Sequence, residues 1–310
     1  MRQSMTTFFY LNRESPILRI GLIAGCVALL AGCSKLGIGD KSPTAPTPPP
    51  TTGSTIVYSA IGASDANGVG SSVVCLPFIP ECPNGMGYVP VAVRQLRSMG
   101  YTVNHLNLGV VTFVIGRDFQ LLGQQYGHEV GGNFIDQEMP FVQTTATVVT
   151  IFAGVNEVNV ITAALGGGAG GSDPNSYIDA QVRAFGTDYT TLVAGIKARV
   201  AAGTPRIVAL NVPNAAGLPY LARVSAAQRQ AAQRIAVGMT KTVVNALTAQ
   251  NVVVVDLMCD ARSYLSSNYS SDGLHPNDAG YAFIAAEVVR AITSTYPAPQ
   301  SSCAAMTIVP

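Results

Sequence analysis

Asp272-Gly273-Leu274-His275-Pro276-Asn277 carries more chemical information than any other stretch of this chain. An acid three residues before a histidine, in a turn of Gly, Pro and Asn that leads into a helix from Asp278, can hold its carboxylate on one imidazole nitrogen. The other nitrogen is then left facing a cleft, as a general base and its orienter require. A base needs a nucleophile, and the candidate lies far upstream: Ser64, in Gly62-Ala63-Ser64-Asp65, where the apolar run 56–61 ends.

Outward from that loop, short Val/Ile runs alternate with longer helical stretches. Strands are predicted over 56–61, 102–106, 148–152, 206–210 and 252–256, and helices over 89–99, 133–142, 176–202, 226–249 and 278–294. Near-continuous apolar strands separated by helices imply a parallel sheet covered on both faces, an α/β fold. Ligands of such sheets bind beyond the carboxyl ends of the strands. Ser64 after the first strand, Gly109 after the second, Asn156 after the third and His275 before the last helix all fall there. Taken singly, each has a plainer reading. Ser64 sits in a turn, Gly109 ends a strand, Asn156 is placed to cap a helix over 157–165, and Asp272 is an ordinary loop acid. Of the other histidines, His105 sits inside a predicted strand as a satisfied core or edge residue. His128 lies in the loop Tyr126-Gly127-His128-Glu129, where it could line a cleft.

The chain has 310 residues, 48% of them hydrophobic, enough for one large α/β domain. A net charge of +1 supplies no basic footprint for nucleic acid. Charged residues make up only 11%, against about 25% in an average soluble domain, so a highly charged substrate finds little to steer it. Arg2, Arg13 and Arg19 precede an apolar run from Ile20 to Ala31, too short to span a membrane comfortably but suited to a secretory signal. Residues 34–53, with Pro48-Pro49-Pro50, read as an extended tether before a domain over 54–310.

Six cysteines sort by position. Cys26 belongs to the signal, and Cys33 follows Leu30-Ala31-Gly32. Cys75, Cys82, Cys259 and Cys303 lie in the domain, where an oxidising compartment favours disulfides and three connectivities are open. Cys75–Cys82, closing a loop with Pro77 and Pro80, and Cys259–Cys303, pinning the C-terminal tail, are the preferred pairs. A zinc site is the rival, but no CxxC or clustered histidine accompanies these thiols.

Two resemblances add to this reading. Leu30-Ala31-Gly32-Cys33 resembles a bacterial lipobox, which implies a signal peptide over 1–32 and lipid on Cys33. Ser34 after that cysteine is similar to sorting patterns for the outer membrane, so the expected location is the cell envelope. The order Gly-x-Ser, Gly, Gly-x-Asn and Asp-x-x-His, over roughly 56–296, resembles the SGNH hydrolases, also called the GDSL esterase/lipase family. Asn211-Val212-Pro213 and Leu218-Pro219-Tyr220 also look like GDSL lipases of bacterial envelopes. The resemblance implies Ser64 as nucleophile, His275 as base and Asp272 as its orienter, with the Ser64 N–H, the Gly109 N–H and the Asn156 amide as an oxyanion hole. It implies a three-layer α/β/α, flavodoxin-like sandwich of strand order 2-1-3-4-5, and no cofactor or metal. Three positions depart from the pattern: Ala63 and Asp65 stand where the family name has Asp and Leu, and Glu157 follows Asn156 where Asp is usual. The activity implied is cleavage of a small-molecule or lipid ester, by a carboxylesterase or lipase. A carbohydrate O-acetylesterase is the nearest rival, and a catalytically silent glycan- or partner-binding lipoprotein is the alternative outside enzymes. The Gly-rich segments Gly131-Gly132 and 166–171 are expected to shape the cleft.

Overall fold

The computed structural model describes residues 45–79 and 81–309; the expected signal over 1–32 and the cysteine at 33 lie outside them. Five strands, β1 (Thr55–Ile61), β2 (Thr102–Asn107), β3 (Val148–Phe152), β4 (Arg206–Leu210) and β5 (Val253–Val255), form one parallel sheet of order β2-β1-β3-β4-β5. Both faces are buried, so alternate residues of each strand enter separate cores. Tyr58, Val148, Val208 and Val253 enter one, and Val149, Ile151, Ile207 and Val254 the other. The first core is closed by α2 (Tyr88–Ser98) and α8 (Asp278–Thr293). The second is closed by α3 (Arg117–Gln125), α5 (Val155–Gly166), α6 (Pro174–Arg199) and α7 (Ala226–Gly238). The three-layer α/β/α sandwich expected from the sequence is thus the observed fold.

Three elements differ from expectation. The helix expected over 133–142 breaks into α4 (Phe134–Gln137) and a 3-10 turn Met139–Phe141, with Glu138 at the junction. Pro140 has no N–H for the helix ladder and clashes with the preceding turn, so winding stops before it. The helix expected over 226–249 is α-helical only to Gly238. It continues as a π turn, Met239–Val244, where buried Thr240 gives its hydroxyl to Val212 O, and then as a 3-10 turn, Asn245–Gln250. Helix α3 was not anticipated; it is only 9 residues long and buries only Phe119 and Gly123.

The Pro-rich segment is not wholly a free tether. Thr47 Oγ1 donates to Thr204 O at 3.1 Å, the Arg206 guanidinium donates to Thr47 O, and Tyr101 Oη donates to Pro50 O at 3.3 Å. Extended Pro-rich backbone has no internal hydrogen bonds, so its carbonyls are free to accept these. The two expected disulfides, Cys75–Cys82 and Cys259–Cys303, are both present, which removes these thiols as metal ligands.

Candidate active site

The exit of β1 runs through Gly62 and Ala63 into a one-turn helix, α1 (Ser64–Asn67), that Ala63 leaves without a side-chain cap. Ser64 opens it and is 5% exposed. As the first residue of a helix its N–H has no intrahelical acceptor. On the far side of the sequence, Asn277 caps α8 by accepting from Ala279 N and Gly280 N. That cap fixes where the chain leaves the loop 270–276. The loop closes on itself: Ser270 N donates to His275 O at 2.8 Å, and Gly273 supplies a φ of +71°.

These elements bring together residues about two hundred positions apart. His275 Nε2 lies 3.0 Å from Ser64 Oγ, and His275 Nδ1 lies 2.7 Å from Asp272 Oδ2. Asp272 Oδ1 also accepts from Ser270 Oγ, Leu274 N and His275 N at 2.8, 2.8 and 2.9 Å. Partial burial opposes ionisation of Asp272, but the hydrogen bonds from His275, Leu274 and Ser270 outweigh it and hold the carboxyl at about 2. A carboxylate at Asp272 takes a proton-bearing Nδ1, which leaves Nε2 as the acceptor for the serine hydroxyl. The loop carrying Cys75–Cys82 packs its backbone on the histidine. A Cβ at Gly70, where φ is +89°, would come 2.7 Å from His275 Cβ. Ser72 anchors the same loop by its N–H and Oγ to Asp278, at 2.7 and 2.6 Å.

Ser64 and His275 border a confined cavity of about 30 Å³, walled by Phe152, Val155, Leu257 and Phe283, with Asn156 at its edge. Asn156 Nδ2 donates to Phe113 O at 2.8 Å, which leaves a second N–H on the same nitrogen. It does not cap α5; Gly154 holds that position. Gly109 follows the last residue of β2 by two positions. Its N–H is given to Asn107 Oδ1 at 3.2 Å, its carbonyl accepts from Asn67 Nδ2 at 2.7 Å, and it does not line the cavity. Its missing side chain serves packing instead: a Cβ there would lie 2.6 Å from Ala66 Cβ.

Asp65 borders the same cavity, and burial pushes its carboxyl up against the pull of His275. Glu157 is buried, accepts from Ile115 N, and is pushed up by burial to about 7. His105 sits in β2 with its Nδ1 buried and unpartnered, not satisfied, and burial lowers its pKa. His128 does not border the cavity, nor do Gly131 and Gly132. Gly166, Gly168 and Gly171 instead line a separate groove of about 660 Å³ between α5, α6 and α7. Asn67, Asn107 and Glu138 were not singled out from the sequence. Asn107 Nδ2 donates to Ala66 O and Asn67 Oδ1, both at 3.0 Å, buttressing α1 from the end of β2.

Among solved structures, the chain is similar to a lipase from a goat rumen metagenome, with 15% identity and a TM-score of 0.52 over 77% of this chain and 98% of that one. It is also similar to a variant of an acetyl-xylooligosaccharide esterase from Geobacillus, with 16% identity and a TM-score of 0.50 over 79% of this chain and 97% of that one. At these identities the likeness concerns the fold. Among curated protein sequences nothing matches the chain. The sequence pattern of the GDSL-like lipase/acylhydrolase family matches residues 60–283, a span that takes in the serine loop and the acid–histidine turn, and the chain belongs to that family.

Proposed function

We propose that the chain hydrolyses carboxylic esters through a covalent acyl-serine, with Ser64 as nucleophile, His275 as general base and Asp272 as its orienter. The observation that carries this is the unbroken hydrogen-bond chain from Asp272 Oδ2 through His275 to Ser64 Oγ. His275 Nε2 takes the hydroxyl proton as Oγ attacks the ester carbonyl, then returns it to the departing alcohol oxygen. Water, activated by the same nitrogen, cleaves the acyl-serine to a carboxylic acid and frees the serine. In this reading the Ser64 N–H and the spare Asn156 N–H take the oxyanion.

The small apolar cavity favours short acyl groups. A water needs about 10–15 Å³ of such space, so about 30 Å³ suits an acetyl methyl and encloses no long chain. We therefore put an O-acetylesterase, on a carbohydrate or other alcohol, level with a general carboxylesterase and ahead of a long-chain lipase. The lipobox-like Leu30-Ala31-Gly32-Cys33 supports export of the chain, lipid on Cys33 and an address at the cell envelope, with the outer membrane favoured by Ser34.

A fluorophosphonate probe should label the protein and fail to label Ser64→Ala, and p-nitrophenyl acetate should turn over faster than the butyrate and palmitate esters. Full esterase activity in Ser64→Ala would overturn the assignment. Incorporation of an alkynyl fatty acid in growing bacteria, lost in Cys33→Ser, tests the anchor separately.

A further inference from the structure

Glu138 is completely buried, at the break between α4 and the following 3-10 turn, and its carboxyl points into the sheet edge. Its two oxygens accept amides from two different strand exits: Oε2 from Gly62 N at 3.0 Å and Oε1 from Val110 N at 3.2 Å. Gly62 lies two residues before Ser64. Val110 begins the loop whose Phe113 carbonyl receives the Asn156 side chain. One side chain from a third element thus joins the loop that holds the hydroxyl to the loop that steadies the amide.

The chemistry of the position explains the residue type. Two N–H donors converge on it, and only a group with two acceptor oxygens meets both; a Gln would turn its NH₂ against one of them. Burying a carboxyl is costly unless its hydrogen bonds recover the loss, and burial does push Glu138 well above the ordinary range. The turn it secures has no side-chain cap of its own at Ala63.

We propose that Glu138 is a positioning residue for ester hydrolysis: it sets the Ser64 turn against the 110–113 loop and so governs turnover more than substrate capture. This rests on the Ser64 reading above. Misplacing a reacting group by about 1 Å can cost about a hundredfold, so Glu138→Gln should lower kcat on p-nitrophenyl acetate about 10–100-fold, with KM changed less than about threefold. Fluorophosphonate labelling of Ser64 should slow by the same factor. Glu138→Asp, which reaches one amide but not both, should fall between wild type and Glu138→Gln. Tyr58→Phe is the reference for destabilisation alone; it loses a buried bond to Thr150 in the middle of the sheet and should keep its kcat. Wild-type kcat and labelling rate in Glu138→Gln would overturn the proposal. So would a kcat loss in Glu138→Asp no larger than that of Tyr58→Phe at equal loss of Tm. Activity surviving in Ser64→Ala marks the different failure, that of the nucleophile assignment itself.

Discussion

A side chain spent on backbone amides can matter as much as one that touches a reacting atom, and this site has both kinds. Asn156 is of the second kind under the proposed mechanism. Removing one oxyanion donor costs about 10²–10³ in kcat, so Asn156→Ala should lose that much turnover while unfolding at nearly the wild-type temperature, as stopped assays and thermal melts would show. Gly70 matters through the side chain it lacks: a methyl there would meet His275 Cβ at 2.7 Å and Pro276 O at 2.9 Å on a backbone that L-residues seldom adopt. Gly70→Ala should displace the histidine loop and depress both kcat and Tm, and unchanged kinetics would show that the loop yields easily. Asp272, His275 and Ser64 were legible because the acid and the base share one turn and the serine ends the first strand. At Gly109 the sequence alone does not say whether the amide or the missing side chain is the part required. Glu138 was illegible because its two partners are fixed only once three elements have packed.

Elements were easier to read than their ends. All five strands fall where the Val/Ile runs put them, since a strand buried on both faces has little choice of composition. Helices failed where a single residue overrules propensity, as Pro140 does after α4. Two other connections are held covalently. Cys259–Cys303 closes a sequence separation of 44 residues and keeps the 3-10 turn Ala304–Thr307 beside α7, where Gln233 exchanges bonds with Val309 at 2.7 and 2.9 Å. Replacing both cysteines by Ser should lower stability by about 2–4 kcal/mol, read from urea unfolding. Because neither cysteine borders the cavity, kcat in the folded variant should stay close to wild type.

For the molecule as a whole, its buried acids give folding a pH dependence of defined sign. Glu157 is held at about 7 and Asp188 at about 6, with burial the chief cause in each, and Glu138 and Asp65 are raised as well. Each holds its proton more tightly in the folded chain than in the unfolded one. The stability they contribute is therefore complete below the ordinary carboxyl range and is lost as pH rises through the folded values. Asp272 works the other way, helping above its unfolded value and ceasing to help as pH falls toward 2. Urea midpoints should thus be higher at pH 5 than at pH 8. Glu157→Gln should flatten that slope, the wild-type residue accounting for about 3 kcal/mol of it; an unchanged slope would mean that Glu157 titrates like an exposed acid. One last consequence follows from the way Thr47 and Pro50 are clasped by Thr204, Arg206 and Tyr101. Those contacts gather at the entry side of the strands, whereas Ser64 and His275 stand where the strands end. The Pro-rich segment is thus fastened at the edge of the sheet away from the chemistry, and releasing it should cost stability rather than turnover.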